Sequence, residues 1–570
     1  MDFETLRHST AHVLAQAVKR VYPDVKLGIG PAIEDGFYYD FDKKEPFTPE
    51  DLKKIEKEMN RIISADLKFE KLSKTKAEAE KLLKNEPYKL ELLKDIEKPT
   101  FYKDGDFIDL CSGPHIGSTK EIKAFKLLRT AAAYWKGDSK NKQLQRIYGT
   151  VSNSDKELKA YLQMLKEAET RNHIKLGREL DLFTTSEVVG QGLPLLTPKG
   201  TTLKRILVRF IEDEELKHGY QLTSTPVLAK SELYKISGHL DHYRKSMFVF
   251  NANNEELVLR PMTCPHQFMI YKSKQRSYRD LPIKYAEVAN LFRNEASGEL
   301  HGLIRIRQFT LADEHNICTP EQLEKEFEDV IDRVKYVMKS LGFKDYWYRF
   351  SKGDPKRKDK YIDNPKAWKD SQATMKKILD KLKVKYTEAD DEAAFYGPKL
   401  DVQMKNVYGK EDTIFTIQID FALPERFDMW YDGTDGKKHR PMVIHSSALG
   451  CLERTMAMLI EQYAGKFPLW LSPVQVKILT MNDTNLDFAK KIKEDMQIKG
   501  LRVVVDDRNE SIPRKVREAQ LEKVNYMVTI GDKEVENGVL AIRDRDGKVT
   551  FGIKPKDFIT RLVSEVEDKE

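Results

Sequence analysis

Gly302-Leu303-Ile304-Arg305-Ile306-Arg307-Gln308-Phe309-Thr310-Leu311-Ala312-Asp313-Glu314-His315 reads as one strand of alternating character. A period of two puts Arg305, Arg307, Phe309, Asp313 and His315 on one face, with Ile304, Ile306 and Thr310 on the other. A face of cations, one aromatic ring, a carboxylate and an imidazole suits an ordinary solvated strand as well as a binding surface. The run Ile283 to Phe292 decides between them. It forms a partner strand that ends in Arg293-Asn294-Glu295 before the loop Ala296-Ser297-Gly298-Glu299. Two strands that bring several arginines to one loop match a polyphosphate, because guanidinium forks bind phosphate oxygens in pairs.

Further strand pairs are expected around 399–421, with a final strand and helix at 441–464. Before the hairpin, Leu203, Ile206, Leu207 and Phe210 recur at helical spacing up to Gly219, and Tyr220 to Val227 reads as a strand broken by Pro226. Together these predict an antiparallel-sheet domain with helices. Past Pro468 the pattern alternates: strand Val474–Met481, helix 485–498 ended by Gly500, strand 501–506, helix 512–523, strand 525–530. That alternation predicts a small α/β domain on a mainly parallel sheet. Towards the start, the segment up to Val151 reads as an α+β domain with one amphipathic helix. Leu158, Leu162, Leu165 and Ala168 predict a single long connecting helix from Lys156 to about Leu182, with a boundary near Thr185. Residues 352–370, rich in Lys and Asp, read as a surface insertion. The expected fold class is therefore multidomain α+β.

The 570 residues, 40% of them hydrophobic, have room for three or four domains with ordinary cores. Met1-Asp2-Phe3-Glu4 does not open a signal peptide, and no apolar run approaches membrane-spanning length, so a soluble chain that does not engage a membrane is expected. Cys111, Cys264, Cys318 and Cys451 lack the spacing of a disulfide framework or zinc ribbon, which favours a reducing cytoplasm. A formal charge of +7 helps binding to a polyanion, though a lysine-rich surface on so long a chain gives the same figure.

Phe292-Arg293-Asn294-Glu295, His301-Gly302-Leu303 and Arg305-Ile306-Arg307 together resemble motif 2 of the class II aminoacyl-tRNA synthetases, in the form found in threonyl-tRNA synthetases. Gly450-Cys451-Leu452-Glu453-Arg454 resembles motif 3, and the helix and strand ending at Pro226 resemble motif 1, the dimer-forming segment. The resemblance runs from His8 to the C-terminus. It implies a class II antiparallel catalytic core at 185–467, an editing domain at 1–152, a connecting helix at 153–184 and an anticodon-binding domain at 468–570. It also implies a form without the small domain that usually precedes the editing module, acting as a homodimer. The expected reaction joins L-threonine to tRNA(Thr) through threonyl-adenylate, consumes ATP with Mg²⁺, and clears seryl-tRNA(Thr) by hydrolysis.

The resemblance also assigns residues. Arg293 holds the ATP α-phosphate and Arg454 the γ-phosphate, with Arg305 also on the nucleotide. Phe309 stacks on adenine, Glu295 accepts from its amine, and His239 helps deprotonate the tRNA ribose. Cys264, His315 and His445, too scattered for any spacing rule, match a Cys-His-His zinc set, one Zn²⁺ per chain, which threonine chelates through its amino and hydroxyl groups. Asp313, Tyr396, Lys399 and Gln418 line the amino-acid pocket. Two departures stand out: Cys264-Pro265-His266-Gln267 where the family commonly has Cys-Pro-Gly-His, and Leu311 where glutamine is common.

His8 and His12 lie on the side of a predicted helix away from its stripe of Leu6, Val13, Leu14, Ala17 and Val18, so neither is expected in the core. With Cys111 and His115 they fit either a four-ligand metal site or a polar hydrolytic pocket. The set resembles the serine-editing site of the family, with Tyr39, Lys89 and Asp109 as further members. In the last domain Asn509, Glu534 and Arg543 match anticodon-reading positions. A prolyl- or seryl-type ligase is the nearest rival reading. A non-catalytic paralogue is disfavoured by the presence of both Arg293 and Arg454.

Overall fold

The computed structural model describes residues 2–138, 140–354 and 356–569. The chain divides into two compact units, Met1–Lys166 and Glu167–Glu570.

In the first unit the helix Phe3–Val21 is capped by Asp2, whose carboxylate accepts from the Glu4 and Thr5 amides. Two sheets accompany it. One orders Lys26–Leu27, Gly36–Asp42, Gln143–Ser152 and Ala124–Tyr134; the other is the antiparallel set Phe69–Ser73, Thr100–Asp104 and Phe107–Leu110. The expectation of a single amphipathic helix falls short, since Pro49–Ser64, Lys76–Leu82 and Pro87–Leu93 are helical as well. The expectation that His12 lies outside the core is also corrected. It is 3% exposed, because the second sheet covers the polar side of its helix and brings the Phe69 and Phe107 rings edge-on to the imidazole.

The single connecting helix is two helices, Asp155–Arg171 and His173–Glu179. Asn172 breaks the run with a non-helical backbone, and its side-chain oxygen caps the second helix by accepting from the Ile174 and Lys175 amides.

The second unit is built on an eight-stranded sheet. Its order is Gln221–Leu222, Ile283–Phe292, Gln308–Cys318, Met442–Ser446, Glu411–Asp420, Lys399–Lys405, Tyr346–Ser351 and Tyr386–Ala389. Neighbours are antiparallel except the outermost pair at each edge. Strand Gln308–Cys318 is buried on both faces, so the polar residues on its back need partners. Glu314 is met by Arg333 and by Ser446 Oγ at 2.6 Å, Asn316 by Glu326 at 2.9 Å, and Thr310 by Glu453. The long strand begins at Gln308. Residues 301–305 form a tight turn, so Arg305 and Arg307 are not strand residues as expected. Tyr220–Val227 likewise yields only the short strand Gln221–Leu222. The 352–370 segment is not a mere surface insertion: Tyr361 and Trp368 are buried beside Ala393, and the Ile362 amide donates to Phe395 O.

The last part carries the sheet Val503–Asp506, Val476–Thr480, Tyr526–Ile530, Leu540–Asp544 and Val549–Ile553. The first three strands are parallel as expected and the last two antiparallel, which makes the sheet mixed. Among the described residues no helix is long and apolar enough to cross a membrane.

Candidate functional site

A cleft of about 1040 Å³ opens on the second unit, and all the residues expected of the catalytic set line it. Phe309, Leu311, Asp313 and His315 reach it from alternate positions of one strand. The Arg293 guanidinium lies over the Phe309 ring, 5.1 Å from its centroid. Arg305 bridges Glu295 at 2.8 Å and Glu299 at 3.0 Å. Arg454, near the start of helix Leu452–Gln462, donates from Nε to Ile304 O at 3.2 Å and from Nη1 to Thr413 O at 2.7 Å. Gly450 precedes that helix with φ of 65°, and a Cβ there would lie 2.3 Å from Ile414 O, so only glycine lets the chain enter.

At one end of the cleft, ligand atoms of Cys264, His315 and His445 all lie within 4.8 Å of one another, and all three residues are buried. Register explains the meeting of the two histidines, which are paired across neighbouring strands, while Cys264 opens the helix Cys264–Lys272. Each imidazole has one nitrogen already engaged. His315 Nδ1 meets Gln267 Oε1, and His445 Nε2 lies 2.8 Å from Asp420 Oδ2. A thiol and two free imidazole nitrogens, each ring held by an acceptor behind it, form a donor set that fits Zn²⁺. Asp313 stands 3.9 Å from His315 Nε2, and burial pushes its carboxyl up to about 6. The Tyr396 hydroxyl donates to Gln418 Oε1, and its ring lies 4.9 Å from His445. Gln418 is in register with both Lys399 and His445. Lys399 is paired with Asp401 at 3.1 Å. Buried His239, held far below its ordinary value by desolvation, bonds Ser237 Oγ through Nδ1 at 2.7 Å.

Sequence reasoning missed the supporting residues Gln267, Asp420 and Asp401. For Gln267 a signal existed, since it is one of the departures noted above. The glutamine donates to Thr223 Oγ1 at 2.8 Å as well as meeting His315.

The first unit gathers a second cluster. Cys111 Sγ lies 2.9 Å from His8 Nε2 and 3.2 Å from His115 Nε2, and His115 Nδ1 lies 3.0 Å from Ser9 Oγ. Desolvation pushes the Cys111 thiol up to about 11 and the His115 imidazole down to about 2, so both are neutral near pH 7. The His12 ring meets His115 edge-on with centroids 5.0 Å apart, but it is not part of the close group of ligand atoms, and its Nε2 lies 3.0 Å from buried Asp104 instead. Asp109 gathers the remaining residues: it accepts from Tyr39 OH at 2.6 Å and from Lys89 Nζ at 2.9 Å.

The anticodon candidates are less tightly grouped. Asn509 and Glu534 follow the ends of parallel strands Val503–Asp506 and Tyr526–Ile530, whereas Arg543 is in register with Met527, nearer the opposite end. Glu534 accepts from the Gly531 amide at 3.0 Å, and Arg543 donates to Gly547 O at 2.9 Å. Both therefore have local structural partners.

Comparison with known proteins agrees with this geometry. The family described as "tRNA synthetase class II core domain (G, H, P, S and T)" matches residues 244–463. "Anticodon binding domain" matches 475–565, and "Threonyl and Alanyl tRNA synthetase second additional domain" matches 100–148. A threonine–tRNA ligase of Clostridium perfringens is 55% identical over 570 residues, covering 99% of this chain and 89% of the relative. That of Clostridium botulinum is 56% identical over 574 residues, covering 100% and 89%. Among solved structures, the RNA binding domain of threonyl-tRNA synthetase from Cryptosporidium parvum aligns with a TM-score of 0.66 at 33% identity, covering 69% of this chain and 98% of that one. At 17% identity and a TM-score of 0.54, Giardia lamblia prolyl-tRNA synthetase, covering 72% of this chain and 81% of its own, shares the fold. The motif arginines, the cleft they line and near-full-length identity of 55–56% to such enzymes agree: this chain belongs to the threonine–tRNA ligase family of class II aminoacyl-tRNA synthetases.

Proposed function

We propose that the chain joins L-threonine to tRNA(Thr) in two steps at the large cleft and removes seryl groups from mischarged tRNA at the cluster of its first unit. The observation behind this reading is the convergence of Cys264, His315 and His445 on the same cleft as Arg293 and Arg454. In the first step the threonine carboxylate attacks the α-phosphorus of ATP and pyrophosphate leaves. Arg293 neutralises charge building on the α-phosphate, Arg454 anchors the γ-phosphate, and both are fixed before the reaction rather than recruited during it. Phe309 offers its face to adenine. Glu295 accepts from the adenine amine while Arg305 holds the carboxylate in place, and Mg²⁺ accompanies the phosphates.

Cys264, His315 and His445 would hold one Zn²⁺ per chain, which when bound supplies a Lewis acid with open positions suited to an amino and a hydroxyl group. Asp313 accepts from the substrate hydroxyl, Tyr396 and Gln418 wall the pocket, and Lys399, oriented by Asp401, adds positive charge. Leu311 makes the wall apolar where relatives commonly offer a glutamine amide. In the second step a ribose hydroxyl of the tRNA attacks the acyl carbon and AMP leaves, with neutral His239 placed to take the proton.

Discrimination explains the second site. A methyl group is worth only about 1–3 kcal/mol in a pocket, so serine enters the first site too often for accurate translation. His8, Cys111 and His115 would position a water on the seryl ester, supported by His12 against Asp104 and by Lys89, Tyr39 and Asp109. Residues 1–152 form the editing part, 153–184 the connector, 185–467 the catalytic part and 468–570 the anticodon-binding part, in which Asn509, Glu534 and Arg543 meet bases. A cytoplasmic homodimer is the working form. The deciding experiment is ATP–pyrophosphate exchange with each of the twenty amino acids. Threonine should support it, serine weakly, and equal exchange with proline or alanine would refute the assignment.

A further inference from the structure

His173 is the first residue of helix His173–Glu179, and its side chain is fully buried. Both ring nitrogens are engaged, with groups remote in the chain. Nδ1 lies 2.7 Å from Glu461 Oε1, and Nε2 lies 3.2 Å from the Leu303 backbone nitrogen. A backbone N–H can only donate, so Nε2 must be the acceptor and the ring proton must sit on Nδ1, from which it is donated to Glu461. The tautomer is thus dictated by the two partners.

Leu303 is the middle of the turn that replaces the expected strand start. The turn is closed by His301 N to Arg305 O at 3.1 Å and Ile304 N to His301 O at 2.9 Å. Gly302 has φ of 48°, and a Cβ there would lie 2.0 Å from His173 Nε2, so the approach of the imidazole itself excludes a side chain. The following peptide is held separately, by Arg454 Nε on Ile304 O. Arg454 and Glu461 sit on one helix, about two turns apart. That helix therefore holds the turn directly through Arg454 and indirectly through Glu461 and His173. Ile304 and Arg305 of the turn and Ile306 directly after it line the cleft, and Arg307 O accepts from the Arg293 amide at 2.8 Å.

We propose that His173, oriented by Glu461, is a positioning residue for ATP binding: a neutral imidazole acceptor that fixes the Gly302–Leu303 turn and thereby Arg305 and Arg293. The inference rests on the cleft being the ATP site. Were the Leu303 N–H left without an acceptor in the core, the turn would shift to satisfy it and move these arginines with it.

The test is threonine-dependent ATP–pyrophosphate exchange with the full chain. His173→Asn keeps a donor near Glu461 but loses the acceptor at Leu303, whereas His173→Gln can place its amide oxygen near the Nε2 position. Expected for His173→Asn is a KM for ATP raised about tenfold, with KM for threonine within about twofold of wild type. His173→Gln should recover most of the loss. Glu461→Leu, which frees the ring to change tautomer, should raise KM for ATP as His173→Asn does, and Glu461→Gln, which still accepts, should not; this pair decides the matter if His173→Asn fails to fold. Seryl-tRNA hydrolysis by each variant checks that the first unit is intact. Equal KM values for ATP in the paired variants, or parallel movement of both KM values, would reduce His173 to core filling and overturn the inference. Absence of exchange by the wild type would instead refute the ATP reading.

Discussion

His315 and His445 are directly opposed residues of two antiparallel strands, and their rings meet edge to face with centroids 4.6 Å apart. The strand register alone therefore brings together two imidazoles that lie far apart in the sequence. With Cys264 they should hold one tightly bound zinc per chain. Metal analysis of wild type beside His445→Ala checks this, with the variant expected to lose most of its zinc. Equal zinc in both proteins would place the metal elsewhere.

Gln267 holds the His315 ring from behind and is itself held by Thr223. Gln267→Ala should lower zinc affinity by about 10–100-fold, as loss of such supporting contacts does, while leaving all three ligands in place. Chelator competition measures it; an unchanged affinity would show that the ring needs no such support.

The first unit should account for all hydrolysis of preformed seryl-tRNA. A His12→Ala/Cys111→Ala variant, and a fragment from about Thr185 onward, should lose at least about tenfold in rate, the low end of what removing positioned acid–base groups costs. Undiminished clearance by both would assign editing to another part of the chain.

Asn509→Ala and Arg543→Ala should weaken aminoacylation of tRNA while sparing pyrophosphate exchange. Because Arg543 also donates to Gly547 O, thermal unfolding must accompany the assay. A joint loss of both activities would mark these positions as structural.

Glu215 is fully buried in helix Pro198–Lys217, and its carboxyl is held well above the usual range, first by desolvation and then by the nearby Glu314 charge. A raised value in the folded state means that folding takes up a proton once the pH exceeds the unfolded value near 4.5. Its contribution to stability is complete below that pH and is lost as the pH rises towards the folded value. Glu215→Gln should flatten the fall of stability between about pH 5 and pH 8, and stabilise the protein at pH 8 by roughly 1–3 kcal/mol. Denaturant unfolding across that range is the measurement, and an unchanged slope would show that the carboxyl ionises freely.

Local pattern was enough for the elements whose hydrophobic period is long and unopposed. The strand that runs through Phe309, Leu311, Asp313 and His315, the alternating strands and helices after Pro468, and the helix that carries Leu203, Leu207 and Phe210 all follow from side-chain spacing. The motifs around Arg293 and Arg454 were legible for the same reason, being contiguous. What failed was set by contacts distant in sequence. Gly302 to Arg307 alternates like a strand, yet His173 and Arg454 bind two successive residues there, Leu303 and Ile304, and turn the chain. His12 looks solvent-facing on its helix until a second sheet covers that side with Phe69 and Phe107. The sequence by itself determined the family and the order of its three matched domains, because these reside in contiguous motifs. Only the tertiary structure decided which histidine nitrogens stay free, which carboxylates support them and where the long strand begins, because a hydrogen bond depends on the position of both partners and local spacing specifies only one.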